Sequence, residues 1–483
     1  MDESGTPLGV AFGELAAKHP DDPAVTHDDV TVSFAELERS ANQWARVLAA
    51  HGAGQDSLVS IALPNSIAFY AAALGAWKLG AVPQPVSYRL PPGELAALIE
   101  VADPAVVVGL EAPDGRPWLP ADFAPDASVS AAPLPPAVPP SWKAPTSGGS
   151  TGRPKVIVAG GRGVYEEVTS RAPSLRIEPD GVFLCTGPLY HNAPFMFSLM
   201  ALMLHNHVVV MGRFDAERSL ALAEEHRVTW FYAVPTMMSR ILKLSEERRL
   251  AYDLSSVRTV FHLAAPCPPA VKRAWIDWLG PARIMELYAG TESQSSTIIS
   301  GDEWLAHPGS VGRVVSGEMV ARDAEGGDLP PGEVGEIWMR PPSGVTTYHY
   351  LGATANARDG WESLGDMGHF DADGYLYLAD RRGDMILVGG SNVYPAEVEA
   401  ALIEHPRVVS AAVIGLPDDD YGNVVHAIIE TDGDVSDDEL RAHLEPRLVR
   451  YKIPRTFERT DRPLRDDAGK VRRSALRAAR LPR

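Results

Sequence analysis

Cysteine is nearly absent: Cys185 and Cys267 are the only two in 483 residues. Each lies in an apolar stretch, so neither a disulfide framework nor a cysteine metal site is expected, and a reducing cytoplasm fits. Long hydrophobic runs are missing as well. The most apolar stretch, residues 195–211, is interrupted by His205, Asn206 and His207 and is too short and too polar to span a bilayer. The N-terminal Met-Asp-Glu-Ser-Gly lacks the basic region and apolar run of a secretion signal. Basic charge is in the minority, with 44 Lys and Arg against 63 Asp and Glu, for a net charge of −19. That argues against general binding to nucleic acid or to an anionic membrane, yet a local cluster of donors can still hold a nucleotide. No internal repeat is present.

What is there describes a soluble α/β protein. A chain of 483 residues is too long for one hydrophobic core, so two or more domains are expected. Ser33 and Glu36 form a capping box, and Phe34, Leu37, Ala41, Trp44 and Leu48 follow at helical spacing. Residues 58–63 read as a buried strand, with Asn65 placed to cap the next helix. Short β-branched runs recur at 105–108, 182–184, 208–210, 229–233 and 257–261, with helical stretches between many of them. That alternation implies doubly wound, mostly parallel sheets covered on both faces. Past residue 310 the pattern changes to short antiparallel strands near 335–339 and 374–378, a small β-subdomain. A smaller α/β unit follows, with a helix over 395–405, a strand near 411–414 and a helix from Ser436. The expected organisation is a large N-terminal domain over 1–380, a hinge at 381–383 and a small mobile C-terminal domain over 384–483.

Residues 133–145 are a stiff Pro-rich connection. They lead into Thr146-Ser147-Gly148-Gly149-Ser150-Thr151-Gly152-Arg153-Pro154-Lys155. The glycines Gly148, Gly149 and Gly152 let backbone N–H groups approach a ligand. Thr146, Ser147, Ser150 and Thr151 add hydroxyls, and Lys155 adds charge. By composition this is either a phosphate cradle or a mobile linker. It is not a Walker loop, because Arg153 stands five residues after Gly148 where a Gly-Lys pair would be needed.

The order of residues closely resembles the phosphate loop of the adenylate-forming superfamily of acyl- and aryl-CoA ligases, luciferases and nonribosomal adenylation domains. The resemblance extends over nearly the whole chain, with the motifs in the family's order. It implies that Tyr288, in Tyr-Ala-Gly-Thr-Glu, stacks on adenine beside Ala289 and Gly290, that Thr291 contacts the α-phosphate, and that Glu292 helps hold Mg²⁺. It implies that Ala264, Ala265 and Pro266 line the adenine site, that Asp366 binds the ribose hydroxyls, and that Arg381 contacts ribose and phosphate. Lys470 would reach the reacting carboxylate and the α-phosphate, making Lys470, Thr291 and Lys155 the catalytic set. Gly389 and Gly390 would line a pantetheine tunnel after the small domain turns about Gly383.

The acid pocket is implied at His191, Asn192, Leu263, Ser293 and Gln294. No carboxylate stands at 191 or 192, where amino-acid-activating members place an aspartate, so an α-amino acid is disfavoured. Leu263 would narrow the pocket, and the polar residues 293–296 favour a small or hydrogen-bonding acid, such as a substituted aryl or cinnamate-like one. The resemblance therefore implies an ATP-dependent acid–CoA ligase with ATP, Mg²⁺ and CoA as its small-molecule partners, cytoplasmic, and monomeric or homodimeric. The alternative is an adenylate-forming enzyme with an unusual acid or a non-CoA acceptor, such as a diazotase using nitrite and an aryl amine.

Overall fold

The computed structural model describes residues 5–148, 154–418, 420–466 and 469–481. Its largest sheet has nine strands. Ile284–Ala289, Thr259–His262, Trp230–Ala233, Val182–Cys185, His207–Val210 and Pro23–His27 run parallel in that spatial order. Antiparallel strands close both edges: Ser296–Ser300 and Arg313–Ser316 on one side, and Val30–Ser33 on the other. The parallel strands are rich in Val, Phe and Ile and buried on both faces, as helices on either side of a sheet require. Trp230 lies between Phe183, at 4.5 Å, and Phe261, at 5.3 Å, and both rings are stacked on it.

A second, four-stranded parallel sheet holds Val82–Pro85, Leu58–Ile61, Val106–Gly109 and Trp118–Pro120. The antiparallel subdomain joins Glu318–Arg322, Gly335–Arg340, Trp361–Phe370 and Asn356–Arg358, with Leu376–Arg381 paired to the long strand Trp361–Phe370. The C-terminal unit has its own core, in which Val398, Leu402, Val413, Ala427, Leu440 and Leu444 are fully buried. It contains the helices Pro395–Ile403 and Asp437–Leu444 and a sheet of Val408–Asp418, Gly422–Thr431 and Thr456–Arg459. Among the described residues, no helix is long and apolar enough to cross a membrane.

The capping box at Ser33 forms as the sequence requires. The cap of the helix Ile67–Lys78 does not: Ser66, not Asn65, accepts the Phe69 N–H. Asn65 is instead buried, where its amide donates to the carbonyls of Gly187 and Met211 and accepts the Leu189 N–H. It ties the end of strand Leu58–Ile61, in the four-stranded sheet, to the loop ahead of helix Asn192–Met203. That cross-link spans more than 120 residues, so local spacing carries no sign of it.

Candidate active site

The strand Ile284–Ala289 is buried at its start, half-buried at Tyr288 and exposed at Ala289. Its C-terminal end therefore emerges at the edge of the parallel sheet, where open α/β sheets bind ligands. The chain then turns through Gly290 and Thr291, and the Ser293 N–H donates to the Gly290 carbonyl at 3.1 Å. A Cβ on Gly290 would lie 2.4 Å from a Leu364 methyl and 3.0 Å from Glu292 Oε2, so a larger residue there would have to displace those side-chain ends. The turn delivers Glu292 inward, 5% exposed.

Lys155 reaches the same point from another sheet. Pro154–Ala159 pairs with Thr146–Gly148 on one side and with Tyr348–Leu351 on the other. Tyr350 stands opposite Ile157, two residues along from Lys155 and hence on the same face. Lys155 Nζ donates to Glu292 Oε1 at 3.0 Å and to the Tyr350 hydroxyl at 2.9 Å. The Tyr350 hydroxyl donates to the same Glu292 oxygen at 2.6 Å. Burial alone would raise the Glu292 carboxyl, but the Lys155 ammonium and the Tyr350 hydroxyl outweigh it and hold the group below the usual carboxylate range. Gly149, Ser150, Thr151 and Gly152 lie outside the described residues.

A second cluster lies beside the first. Asp366 and Arg381 stand directly opposite each other on paired antiparallel strands. Arg381 Nε is 3.3 Å from Asp366 Oδ1, and the Tyr288 hydroxyl donates to Asp366 Oδ2 at 2.7 Å. Burial, then the Asp366 charge, pushes the Tyr288 hydroxyl well above its ordinary value.

Lys470 comes from the C-terminal unit and is exposed along its side chain. Its ammonium is nonetheless lowered, first by the protein crowded around it and then by Arg381, while Asp466 and Glu292 pull the other way. It thus lies within electrostatic reach of both clusters. The preceding Gly469 is buried, and a Cβ there would lie 2.7 Å from Thr236 Oγ1 of the N-terminal domain.

On the third side, Asn192 is the first residue of helix Asn192–Met203, with His191 at its N-cap. The His191 ring lies 4.5 Å from that of Tyr190. The Asn192 amide oxygen accepts from the ammonium of Lys143, a residue in the Pro-rich stretch read from sequence only as a connection. Lys143 is 3% exposed, and burial, then repulsion by Arg171, lowers its pKa to about 7 against some attraction from Glu292. Leu263 is half-buried against the main core. Ala264 takes a left-handed φ of 77° and is exposed, with half-buried Ala265 and exposed Pro266 following.

The remaining candidates are more scattered. Gln294 is buried, donating to Glu362, which also accepts from Tyr348. Ser293 holds a left-handed φ of 56° in the turn. Ser295 is buried with its hydroxyl spent on the Ser316 carbonyl, so the polarity read across 293–296 is partly internal wiring. Gly389 and Gly390 are not brought to the clusters. They form the exposed turn between Ile386–Val388 and Ser391–Val393, against Tyr421 of their own unit. Lys143 and Tyr350 were missed by sequence reasoning. A lysine in an otherwise apolar run, Ser-Trp-Lys-Ala-Pro, was the available signal for the first, whereas Tyr350 had none.

A family model described as AMP-binding enzyme matches residues 12–349, and one described as AMP-binding enzyme C-terminal domain matches 397–470. The chain is 33% identical over 483 residues to a feruloyl-CoA synthase of an Amycolatopsis species, covering 96% of each. It is 30% identical over 474 residues to a long-chain-fatty-acid–CoA ligase of Mycobacterium tuberculosis, covering 93% of each. Among solved structures, o-succinylbenzoate CoA synthetase from Bacillus subtilis, in complex with its acyl-adenylate intermediate, superposes with a TM-score of 0.85 at 26% identity, covering 99% of each chain.

Proposed function

This chain belongs to the AMP-binding enzyme family, and from that premise we propose that it joins a small or aromatic polar carboxylic acid to CoA through an acyl-AMP. It is an AMP-forming acid–CoA ligase that uses ATP, Mg²⁺ and CoA. The observation that carries the reading is the convergence of Lys155 and Glu292, Tyr288–Asp366–Arg381, and Lys470 from three separate sheets and loops.

Tyr288 and the backbone at Ala264, Ala265, Pro266, Ala289 and Gly290 flank the adenine, and Asp366 accepts from the ribose hydroxyls while Arg381 holds the ribose–phosphate edge. Lys155 and the loop from Thr146 bind the phosphates, and Thr291 contacts the α-phosphate. Glu292 is ionised at neutral pH and offers a hard oxygen, which fits Mg²⁺; the ion when bound offsets charge on the phosphate oxygens. Lys155 is already paired with Glu292, so neither charge need be brought in from bulk water.

An oxygen of the substrate carboxylate attacks the α-phosphorus, and the bond from that phosphorus to the bridging oxygen breaks. Pyrophosphate leaves with the electron pair. Lys470 and Lys155 offset the charge gathered there, so the protein contributes position and electrostatics, not a nucleophile. In the second step the CoA thiol gives up its proton to solvent, its sulfur attacks the acyl carbon, the bond from that carbon to the phosphate oxygen breaks, and AMP departs with the electron pair. The C-terminal domain turns about residues 381–383 between the steps, exchanging Lys470 for the Gly389–Gly390 turn.

The test is ATP–pyrophosphate exchange over a panel of acids, followed by mass spectrometry of products with CoA. Exchange with at least one polar aryl or short acid and a CoA thioester as product are expected. Exchange without a thioester would overturn the CoA assignment while sparing adenylation, and nitrite with an aryl amine is then the next pair to supply.

A further inference from the structure

Lys143 is a buried ammonium with no carboxylate bonded to it. Its contacts are the Asn192 amide oxygen, the Met196 sulfur at 3.7 Å and the Trp142 ring at 4.8 Å, all of them neutral. An ammonium carries three N–H donors. One is used by Asn192, one points at a weak thioether acceptor, and the third has no partner among the described residues. Burying a charge so poorly served is costly, and a bound acceptor would offset that cost. The neighbouring Lys155 differs in this respect, because it is matched by Glu292 and the Tyr350 hydroxyl.

The location names the ligand. Lys143 extends to the first turn of helix Asn192–Met203, beside His191 and Tyr190, while the nucleoside cluster of Tyr288, Asp366 and Arg381 is built on other elements. Tyr190 and Tyr88 meet edge to face at 6.1 Å, and the charged groups that act on Lys143 from a distance are Arg171, which repels it, and Glu292, which attracts it.

We propose that Lys143 is a specificity-determining residue whose ammonium, held by Asn192, binds a second hydrogen-bond acceptor carried by the acid: a ring hydroxyl, ether or carbonyl, or a second carboxylate. The inference rests on the ligase reading above and narrows its substrate to acids with a polar group remote from the reacting carboxylate.

Matched acids test it, in ATP–pyrophosphate exchange: benzoate against 4-hydroxybenzoate, cinnamate against 4-hydroxycinnamate, hexanoate against adipate. The wild type is expected to prefer the acceptor-bearing member of a pair. Lys143→Met should lose roughly 10- to 100-fold in kcat/KM on that member, mostly through KM, with less than about 3-fold loss on its partner and no change in the KM for ATP. Lys143→Gln, which keeps a donor without the charge, should recover part of the preference. In the wild type the preference should decline as pH rises past about 7, where the free ammonium gives up its proton. Equal loss on both members of each pair, or a raised KM for ATP, would overturn the proposal in favour of a structural or nucleotide-binding role. Absence of exchange by the wild type with every acid would overturn the ligase reading itself.

Discussion

Lys143, Lys155 and Lys470 carry the same ammonium into different surroundings. Lys155 meets a carboxylate, Lys470 hangs between Arg381 and Glu292, and Lys143 is buried among neutral groups. Because burial lowers the Lys143 pKa to about 7 from 10.5, the unfolded chain binds more protons than the folded one between those values. This group's penalty on folding is therefore fully present below pH 7 and disappears as pH rises towards 10.5. Lys143→Met should raise stability by on the order of 3 kcal/mol at pH 6, the gain shrinking towards pH 10. Urea unfolding at several pH values measures it, and a pH-independent change would contradict the burial argument. Lys470→Ala should lower adenylation by at least about 100-fold yet leave thioester formation from supplied acyl-AMP nearly intact, since its charge serves only the first step. Separate assays of the two half-reactions check this.

Among the elements, pairing register decides which residues meet. Asp366 and Arg381 are fifteen positions apart in sequence but face each other because the strands Trp361–Phe370 and Leu376–Arg381 form an antiparallel pair. Asp366→Ala should raise the KM for ATP about 10- to 100-fold, by removing charge-assisted hydrogen bonds to ribose. Tyr288→Phe keeps the ring and loses only the bond to Asp366, so its KM for ATP should rise less than about 5-fold. Steady-state kinetics with varied ATP compares the two, and a larger effect from Tyr288→Phe would reverse their assignment. The helix Ile67–Lys78 shows the limit of local reading. Asn65 and Ser66 both suit an N-cap by type, and the choice fell to Ser66 because distant carbonyls claimed Asn65.

In the whole molecule, the C-terminal unit meets the N-terminal domain at several points. Lys243 Nζ donates to the Val408 carbonyl at 2.5 Å, Arg472 lies 3.4 Å from Glu94, and Gly469 abuts Thr236. Gly469 has a φ of 77°, so Gly469→Ala strains the backbone and drives a methyl into Thr236. Adenylation should fall about 10-fold while thioester formation persists. Equal losses in both half-reactions would mean that this contact does not belong to the adenylating arrangement.

Residue order alone was enough to read the alternation of strands and helices and the Ser33 capping box, and to single out the motifs around residues 146–155, 288–292, 366, 381 and 470 as candidates. These signals are local: periodicity, capping and turn chemistry act within a few residues. The tertiary structure decided the rest. It placed Lys155 against Glu292, gave Tyr350 a role, spent Ser295 on a backbone carbonyl and left Gly389 and Gly390 at the surface. It also turned Lys143 from part of a connector into a buried charge. Each of those outcomes depends on which distant backbone or side chain arrives within hydrogen-bond reach, and sheet register and burial settle that only once the chain has folded.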